Sequence, residues 1–175
     1  MLAGGAVAAG QDAWEVVRGA GYEGAIIPAA SLYNKLFRDI VTSLKPDATL
    51  VGWTPTASDI AVAERELRTL VERASKDATV IASLPEADQP PVRLGLPLVS
   101  GTLATLIRQY AGFKSGAARH VVIHGIPDGA RRPWRTEPVV MLGGGCENFW
   151  FVFNLDEQRV TRFRCGSGEA PSAIH

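Results

Sequence analysis

A cysteine that directly follows three glycines is the most chemically suggestive feature of this sequence. Cys146 stands after Gly143-Gly144-Gly145, and His120 and His124 fall on a neighbouring predicted strand. A thiol beside exposed backbone N–H groups, with a histidine as base, is the arrangement that nucleophilic catalysis requires. Three glycines between strands also form a tight turn or bulge, in which the cysteine has a structural role. We favour this structural interpretation.

The two cysteines also flank a predicted β-hairpin. Alternating residues run from Phe149 to Asn154, Asp156-Glu157 supply a turn, and Val160 to Cys165 form the return strand. Folding this hairpin about its turn places Cys146 and Cys165 within about one residue of direct opposition, inside disulfide reach if a bulge adjusts the register. A disulfide and a pair of buried free thiols both fit this position. The disulfide favours an oxidising compartment.

Metal and nucleotide sites find little support. His120 and His124 share one face of a strand, but four residues at about 3.3 Å each separate them by roughly 13 Å, too far to bind one ion. His175 is terminal. The segment 112–116 contains a lysine between glycines but lacks the glycine before that lysine that a phosphate loop requires. The sequence therefore predicts neither a metal nor a cofactor.

An acid–base pocket between helices and sheet is the alternative site. In such a build a few polar groups inside an apolar pocket can transfer protons. Each of these groups also has a plain structural interpretation: Asp59 as a helix cap, Glu64 as a solvated helix charge and Tyr110 as core. The candidate pocket residues are Trp53, Tyr110 and His124, with Asp59 and Glu64 as candidate carboxylates.

A basic loop with one tryptophan is the candidate binding surface. Tryptophan and arginine combine large apolar area with planar hydrogen-bond donors, which suits them to binding hot spots. The loop also fits an ordinary surface segment whose arginines pair with Asp128 and Glu137. The candidate binding residues are Arg131, Arg132, Trp134, Arg135, Arg162 and Arg164.

Charge is balanced overall and unbalanced along the chain. The 175 residues hold 18 Lys and Arg and 18 Asp and Glu, so the formal net charge is zero. This excludes a bulk electrostatic interaction with nucleic acid or an anionic membrane. Positions 1–90 hold 8 basic and 12 acidic residues (8 − 12 = −4), whereas positions 91–175 hold 10 and 6 (10 − 6 = +4). An acidic protein partner therefore fits the second half.

Helical patterns dominate the first half of the chain. Residues 12–45 predict two helices, the second from Ala29 to Leu44, and Thr56 with Asp59 forms a capping box that begins another. Residues 77–99 contain four prolines and predict a long irregular connection. A further helix is predicted around 103–110, ended by Gly112. The apolar stripe of the capped helix contains Ile60, Ala63, Leu67, Leu70, Val71 and Ala74.

The second half alternates in the manner of strands, and the short linkers between these runs predict an antiparallel meander. The strands are expected at Arg119–Ile126, Pro138–Leu142, Asn148–Leu155 and Arg159–Cys165.

The predicted fold class is α+β, with helices packed on one face of a curved four-stranded antiparallel sheet. One domain is expected over 12–170, with N-terminal helices at 12–48, helices and a connection at 49–112, and the meander at 117–166. Residues 171–175 are predicted to be a tail. No run of about 18 apolar residues predicts a membrane span, and residues 1–11 fit a loose tail or a signal remnant.

Several short motifs occur together between residues 53 and 170. They are Trp53-x-Pro55 before Asp59-Ile60 and Glu64, Arg108-Gln109-Tyr110 before Gly112, Trp134 before Val139-Val140, Gly143-Gly144-Gly145 before Phe149, and Gly168-x-Ala170. The chain resembles a group of small, mostly exported bacterial proteins of uncharacterised function, with a cystatin-like or nuclear-transport-factor-like build, over about residues 50–170. The resemblance implies a helix-over-sheet fold and export, and it implies no catalytic residues.

The first functional hypothesis is therefore a non-enzymatic, periplasmic or secreted protein that contacts another macromolecule, as an inhibitor or immunity-type partner, through the basic Trp/Arg surface. The alternative is a small-molecule enzyme or ligand carrier that uses the acid–base pocket. A cytoplasmic location is the alternative to export.

Overall fold

Seven strands join in one mixed sheet in the computed structural model, which describes residues 14–33, 50–128, 133–139, 141 and 144–166. The order is β1-β2-β4-β5-β6-β7, and β3 pairs with the second half of β4. β2 is parallel to β4, and the other neighbouring pairs are antiparallel. The strands are β1 (Val16–Gly19), β2 (Tyr22–Ile26), β3 (Leu50–Trp53), β4 (Ile107–Ser115), β5 (Ala118–Ile126), β6 (Phe149–Asn154) and β7 (Arg159–Cys165).

The α-helices lie between β3 and β4, within the long connection from β2 to its parallel neighbour β4. A parallel pair needs a crossover that packs on the sheet, which explains why helices cover one of its faces. None of the described helices is long and apolar enough to cross a membrane. The helices are α1 (Ala57–Ala74), α2 (Thr79–Ala82) and α3 (Gln89–Thr102), with 3-10 turns at Ala29–Tyr33, Glu86–Asp88 and Gly145–Glu147.

Buried side chains lie on both faces of the sheet. The larger cluster packs the sheet against the helices and includes Leu67, Tyr110 and Phe151. The smaller cluster includes Phe113 and Trp150 on the opposite face. The sheet is therefore not a half-exposed layer, and its central strands do not show a simple alternation of apolar and polar residues.

The α+β class is confirmed, but the predicted four-stranded antiparallel sheet is wrong. Residues 16–26 form the hairpin β1–β2 where a helix was predicted. Gly19-Ala20-Gly21 close this hairpin, and Gly21 has a positive φ of 77°, so these glycines make a turn instead of interrupting a helix. Of the predicted helix from Ala29 to Leu44, only 29–33 is described, as a 3-10 turn.

The predicted helix around 103–110 is also wrong, because β4 begins at Ile107. Leu103, Leu106 and Tyr110 happen to recur at helical spacing. Arg108 and Gln109 are both buried in the strand, so polar residues stand on each covered face and hide the period of two that identifies a strand.

Residues 77–99, predicted to be irregular, contain α2 and most of α3. Pro90 and Pro91 stand in the first turn of α3, where backbone N–H groups have no helical partner, so they are compatible with a helix start. No strand forms at the described part of Pro138–Leu142. Val139 donates its N–H to the side chain of Gln109 (2.7 Å) and not to a strand.

Helix α1 and strands β5 to β7 confirm the local predictions. Thr56 and Asp59 make both hydrogen bonds of the capping box, Thr56 N to Asp59 Oδ2 (2.9 Å) and Asp59 N to Thr56 Oγ1 (3.3 Å). All six residues of the predicted apolar stripe are buried. The register of β6 and β7 shifts by one residue between Val152 and Phe153. This bulge places Phe149, and not Cys146, opposite Cys165, so the expectation that a bulge brings the two cysteines into opposition is wrong.

Candidate functional site: a groove over a buried carboxylate

A buried ion pair joins α1 to β4. Arg108 Nε donates to Glu64 Oε1 (3.2 Å), and neither side chain is more than 2% exposed. Arg108 also donates to the main-chain oxygens of Leu106 (2.5 Å) and Leu103, and its guanidinium lies 5.7 Å from the centre of the Phe149 ring. Several acceptors therefore hold this buried positive charge, as a charge removed from water requires.

Two tyrosines extend the cluster toward the hairpin. The Tyr110 hydroxyl donates to Glu64 Oε1 (2.9 Å), and the Tyr22 ring meets the Tyr110 ring edge-on at 6.4 Å. Burial raises the pKa of both tyrosines, and the nearby Glu64 carboxylate raises it further. Gly24 gives these side chains room, because a Cβ there would lie 2.4 Å from Cβ of Arg108 and 2.5 Å from Cε2 of Tyr110.

An open groove of about 290 Å³ lies between α1 and the β1–β2 turn. Arg68 Nη2 crosses to the Ala20 carbonyl oxygen (2.5 Å) and ties the helix to the turn. Helical spacing brings residues three, four, seven and eight apart to one side of α1, which explains the composition of the wall. The lining residues are Ala20 and Tyr22 of the hairpin and Ala61, Glu64, Arg65, Arg68, Thr69 and Glu72 of α1.

Glu64 is the carboxylate at this groove. Both of its hydrogen bonds end on Oε1, and Oε2 makes none with the described part of the chain. Burial raises the pKa of Glu64, while Arg108 and the Tyr110 hydroxyl oppose that rise. A carboxylate with one satisfied oxygen and one oxygen beside a groove can accept a hydrogen bond from a bound molecule or exchange a proton with it.

The expectation that Glu64 is a solvated helix charge is therefore wrong. Its position within the apolar stripe contained the signal, because Glu64 follows Ile60 by four residues and precedes Leu67 by three. A charge inside such a stripe must find a buried partner. The sequence pattern did not mark Tyr22 or Arg68 as site residues. The residues around Tyr22 were predicted to be helical, and Arg68 was assigned to the solvated face of α1.

The predicted pocket of Trp53, Tyr110 and His124 does not form, because the sheet separates His124 from the other two residues. Tyr110 belongs to the helix-side cluster, whereas His124 stacks on Trp150 of the opposite face, with ring centres 3.8 Å apart. Trp53 packs against Gly112 and donates from Nε1 to the Phe113 carbonyl oxygen (3.2 Å). Asp59 is the capping partner of Thr56, as its structural interpretation predicted.

Part of the predicted basic surface lies outside the described residues, namely Arg131 and Arg132. The Arg135 guanidinium lies 4.7 Å from the centre of the Trp134 ring, and its Nη2 pairs with Glu23 (3.2 Å). Gln109 anchors this segment, because its Nε2 donates to the carbonyl oxygens of Trp134 (2.8 Å) and Glu137 (2.7 Å).

The two strand arginines of that surface differ in their surroundings. Arg162 pairs with the buried Asp88 (3.2 Å), whereas Arg164 is exposed. Arg135 of the loop thus pairs with Glu23, and not with the predicted Asp128 or Glu137. These ion pairs reduce the positive charge that the surface presents to a partner.

Cys146 and Cys165 form a disulfide, so the nucleophile hypothesis has no thiol to use. Cys165 is opposed to Phe149 in the sheet, and the 3-10 turn at Gly145–Glu147 brings Cys146 back to it. Both sulfurs pack on α3 at Gly95, where a Cβ would lie 1.8 Å from Cys146 Sγ and 3.4 Å from Cys165 Sγ. No group of three or more metal-ligating side chains occurs among the residues that the structure describes.

His124 is buried in a short hydrogen-bonded chain. Its Nε2 lies 2.8 Å from Asn148 Oδ1, and Asn148 Nδ2 donates to the Met141 carbonyl oxygen (2.9 Å). Because Asn148 Oδ1 is an acceptor in this arrangement, the His124 proton is on Nε2. Burial lowers the pKa of His124 to about 4, so the ring is neutral at pH 7.

The protein is expected to lose about 3 kcal/mol of stability through His124 as the pH falls from 6.5 to about 4. The folded-state pKa is below the unfolded value, so the unfolded chain binds the extra proton in this range and acid favours unfolding. Urea unfolding across these pH values measures the loss. In His124→Gln the loss should be smaller by that amount, and an equal loss in both proteins would contradict the assignment.

Comparisons with protein-family models, with curated proteins and with solved structures find no match to this chain. The resemblance to small exported proteins of cystatin-like build therefore stays a prediction.

Proposed function

We propose that this protein binds a small polar molecule in the groove between α1 and the β1–β2 turn, with Glu64 as the polar anchor. The observation that carries the proposal is a carboxylate only 2% exposed that lines an open groove. Small-molecule sites combine a concave surface with a few fixed polar groups, and Glu64 and Tyr22 supply such groups here.

The environment of Arg108 supports this function. The guanidinium has main-chain acceptors in addition to Glu64 Oε1. Among the residues that the structure describes, hydrogen bonds reach only one oxygen of the carboxylate. The other oxygen is fixed in direction without any described partner. A hydrogen bond from a ligand to this oxygen contributes more binding free energy than one to a mobile surface carboxylate, because the orientation of the Glu64 side chain is already fixed.

The test is a thermal-shift screen of small hydrogen-bond donors against the wild type, Glu64→Gln and Glu66→Gln. Glu66 is on the same helix but outside the groove. A ligand should raise the Tm of the wild type and of the Glu66 variant, and its affinity should fall at least about tenfold in the Glu64 variant, which has lost a charge-assisted hydrogen bond. Equal affinity in all three proteins would contradict the proposal.

A second candidate function is macromolecular binding through Trp134, Arg135 and Arg164, and the stacking of Arg135 on a half-exposed Trp134 favours it. An aromatic ring beside an exposed guanidinium group suits an acidic protein surface. The disulfide is compatible with export, and we propose that this second function operates in the periplasm or outside the cell.

Affinity capture from a periplasmic or culture-supernatant extract tests the second function. Trp134→Ala with Arg135→Ala should reduce recovery of an acidic partner at least about tenfold at low salt, because both hot-spot side chains are lost. Arg93→Ala, an exposed arginine on α3, is the matched control. Recovery that is the same with all variants would contradict this function.

A further inference from the structure

Two arginines stand beside Glu64 in the groove. Arg65 and Arg68 are on the same wall of α1 as the carboxylate, together with the hydroxyl of Thr69. Arg68 uses Nη2 to hold the Ala20 carbonyl oxygen, and a guanidinium has five N–H donors, so further donors stay free for a ligand. Arg65 pairs with its neighbour Glu66 at 3.3 Å across an exposed surface, where an ion pair contributes little.

The groove therefore has two electrostatic ends. At the floor, Glu64 presents a buried acceptor, and at the rim two guanidiniums present planar pairs of donors. Tyr22 lines the same groove from the hairpin. A ligand that satisfies both ends needs a hydrogen-bond donor close to an anionic group. Guanidinium groups match a carboxylate in geometry as well as in charge.

Resting on the proposed function, we infer that the ligand is a small carboxylic acid with a hydroxyl or ammonium donor on the neighbouring carbon. The donor would bind the free side of Glu64, and the carboxylate would bind Arg65 and Arg68. Glu72, at the other end of the lining, disfavours a second anionic group there.

Four matched probes separate the parts of this inference. Glycolate and glycine have both features, acetate lacks the donor, and ethylene glycol lacks the carboxylate. Amide chemical shifts of Ala20, Tyr22, Ala61 and Thr69 in the full-length protein report binding at the groove, including binding with a Kd in the millimolar range. Glycolate or glycine should shift these amides with an affinity about tenfold or more above that of acetate, and whichever of the two binds identifies the donor.

Variants on α1 complete the test. Arg65→Met and Arg68→Met should each weaken binding of the better probe about tenfold, whereas Arg73→Met, an exposed arginine of the same helix outside the groove, should not. Because Arg68 also holds the hairpin turn, the exposed Arg65 provides the variant without that structural contact.

Equal binding of acetate and the donor-bearing acids, binding that survives both arginine variants, or no shift with any probe would overturn the inference. If ethylene glycol binds the groove and Glu64→Gln abolishes its binding, the proposed function stands and the assignment of the ligand as an acid fails.

Discussion

Replacing Glu64 with leucine is expected to lower the free energy of unfolding by about 3 to 5 kcal/mol, the usual cost of removing one partner of a buried ion pair. The substitution leaves the Arg108 guanidinium fully buried without its carboxylate and removes the acceptor of the Tyr110 hydroxyl. Urea unfolding at pH 7 measures the change. A cavity makes little contribution, because leucine and glutamate have similar volumes.

Two further variants make that result specific. Glu66→Leu changes a more exposed carboxylate of the same helix and should alter stability by no more than about 0.5 kcal/mol. Glu64→Leu combined with Arg108→Met replaces the whole pair with apolar side chains and should recover a large part of the loss. Two results would contradict the buried ion pair between Glu64 and Arg108. One is a Glu64 variant as stable as the wild type, and the other is a double variant that loses more free energy of unfolding than the two single variants lose in sum.

Removing the disulfide by Cys146→Ala with Cys165→Ala is expected to lower the free energy of unfolding by about 3 kcal/mol. The two cysteines are 19 residues apart in the sequence, and a cross-link over this loop reduces the conformational entropy of the unfolded chain. The bond fixes the turn at Gly145–Glu147 to the end of β7 and packs both sulfurs on Gly95 of α3. Thermal unfolding of the double variant and of the oxidised wild type gives the difference.

Reduction of the wild type supplies an independent control, because it opens the same bond without changing the sequence. The reduced protein and the double variant should lose similar stability. Equal unfolding temperatures for the oxidised and reduced wild type would show that the bond does not constrain the chain as the structure has it.

Local signals predicted the parts of the fold that depend on neighbours in sequence. The capping box of Thr56 and Asp59 predicted the start of α1, and the alternation from Phe149 to Asn154 predicted β6. The cysteine pair was predicted as one of two options because a hairpin fixes distances within a short segment.

The remaining elements depend on contacts that the sequence pattern does not show. β4 is covered on both faces and contains the buried Arg108 and Gln109, so its composition does not alternate. The hairpin β1–β2 was mistaken for a helix because its glycines serve a turn and a close approach to Tyr110. Both mispredicted elements shape the groove. Hairpin β1–β2 supplies one of its walls, and Arg108 of β4 holds the Glu64 carboxylate that lines it.

A chemical-shift map of the wild-type protein with the best ligand of the small-molecule screen tests directly whether Glu64 anchors a ligand in the groove. We expect the perturbed amides to cluster at Ala20, Tyr22, Ala61 and Thr69, and we expect this cluster to disappear in Glu64→Gln and to persist in Glu66→Gln. Perturbations that centre on Trp134 and Arg164, or that persist unchanged without the Glu64 carboxylate, would contradict this role of Glu64.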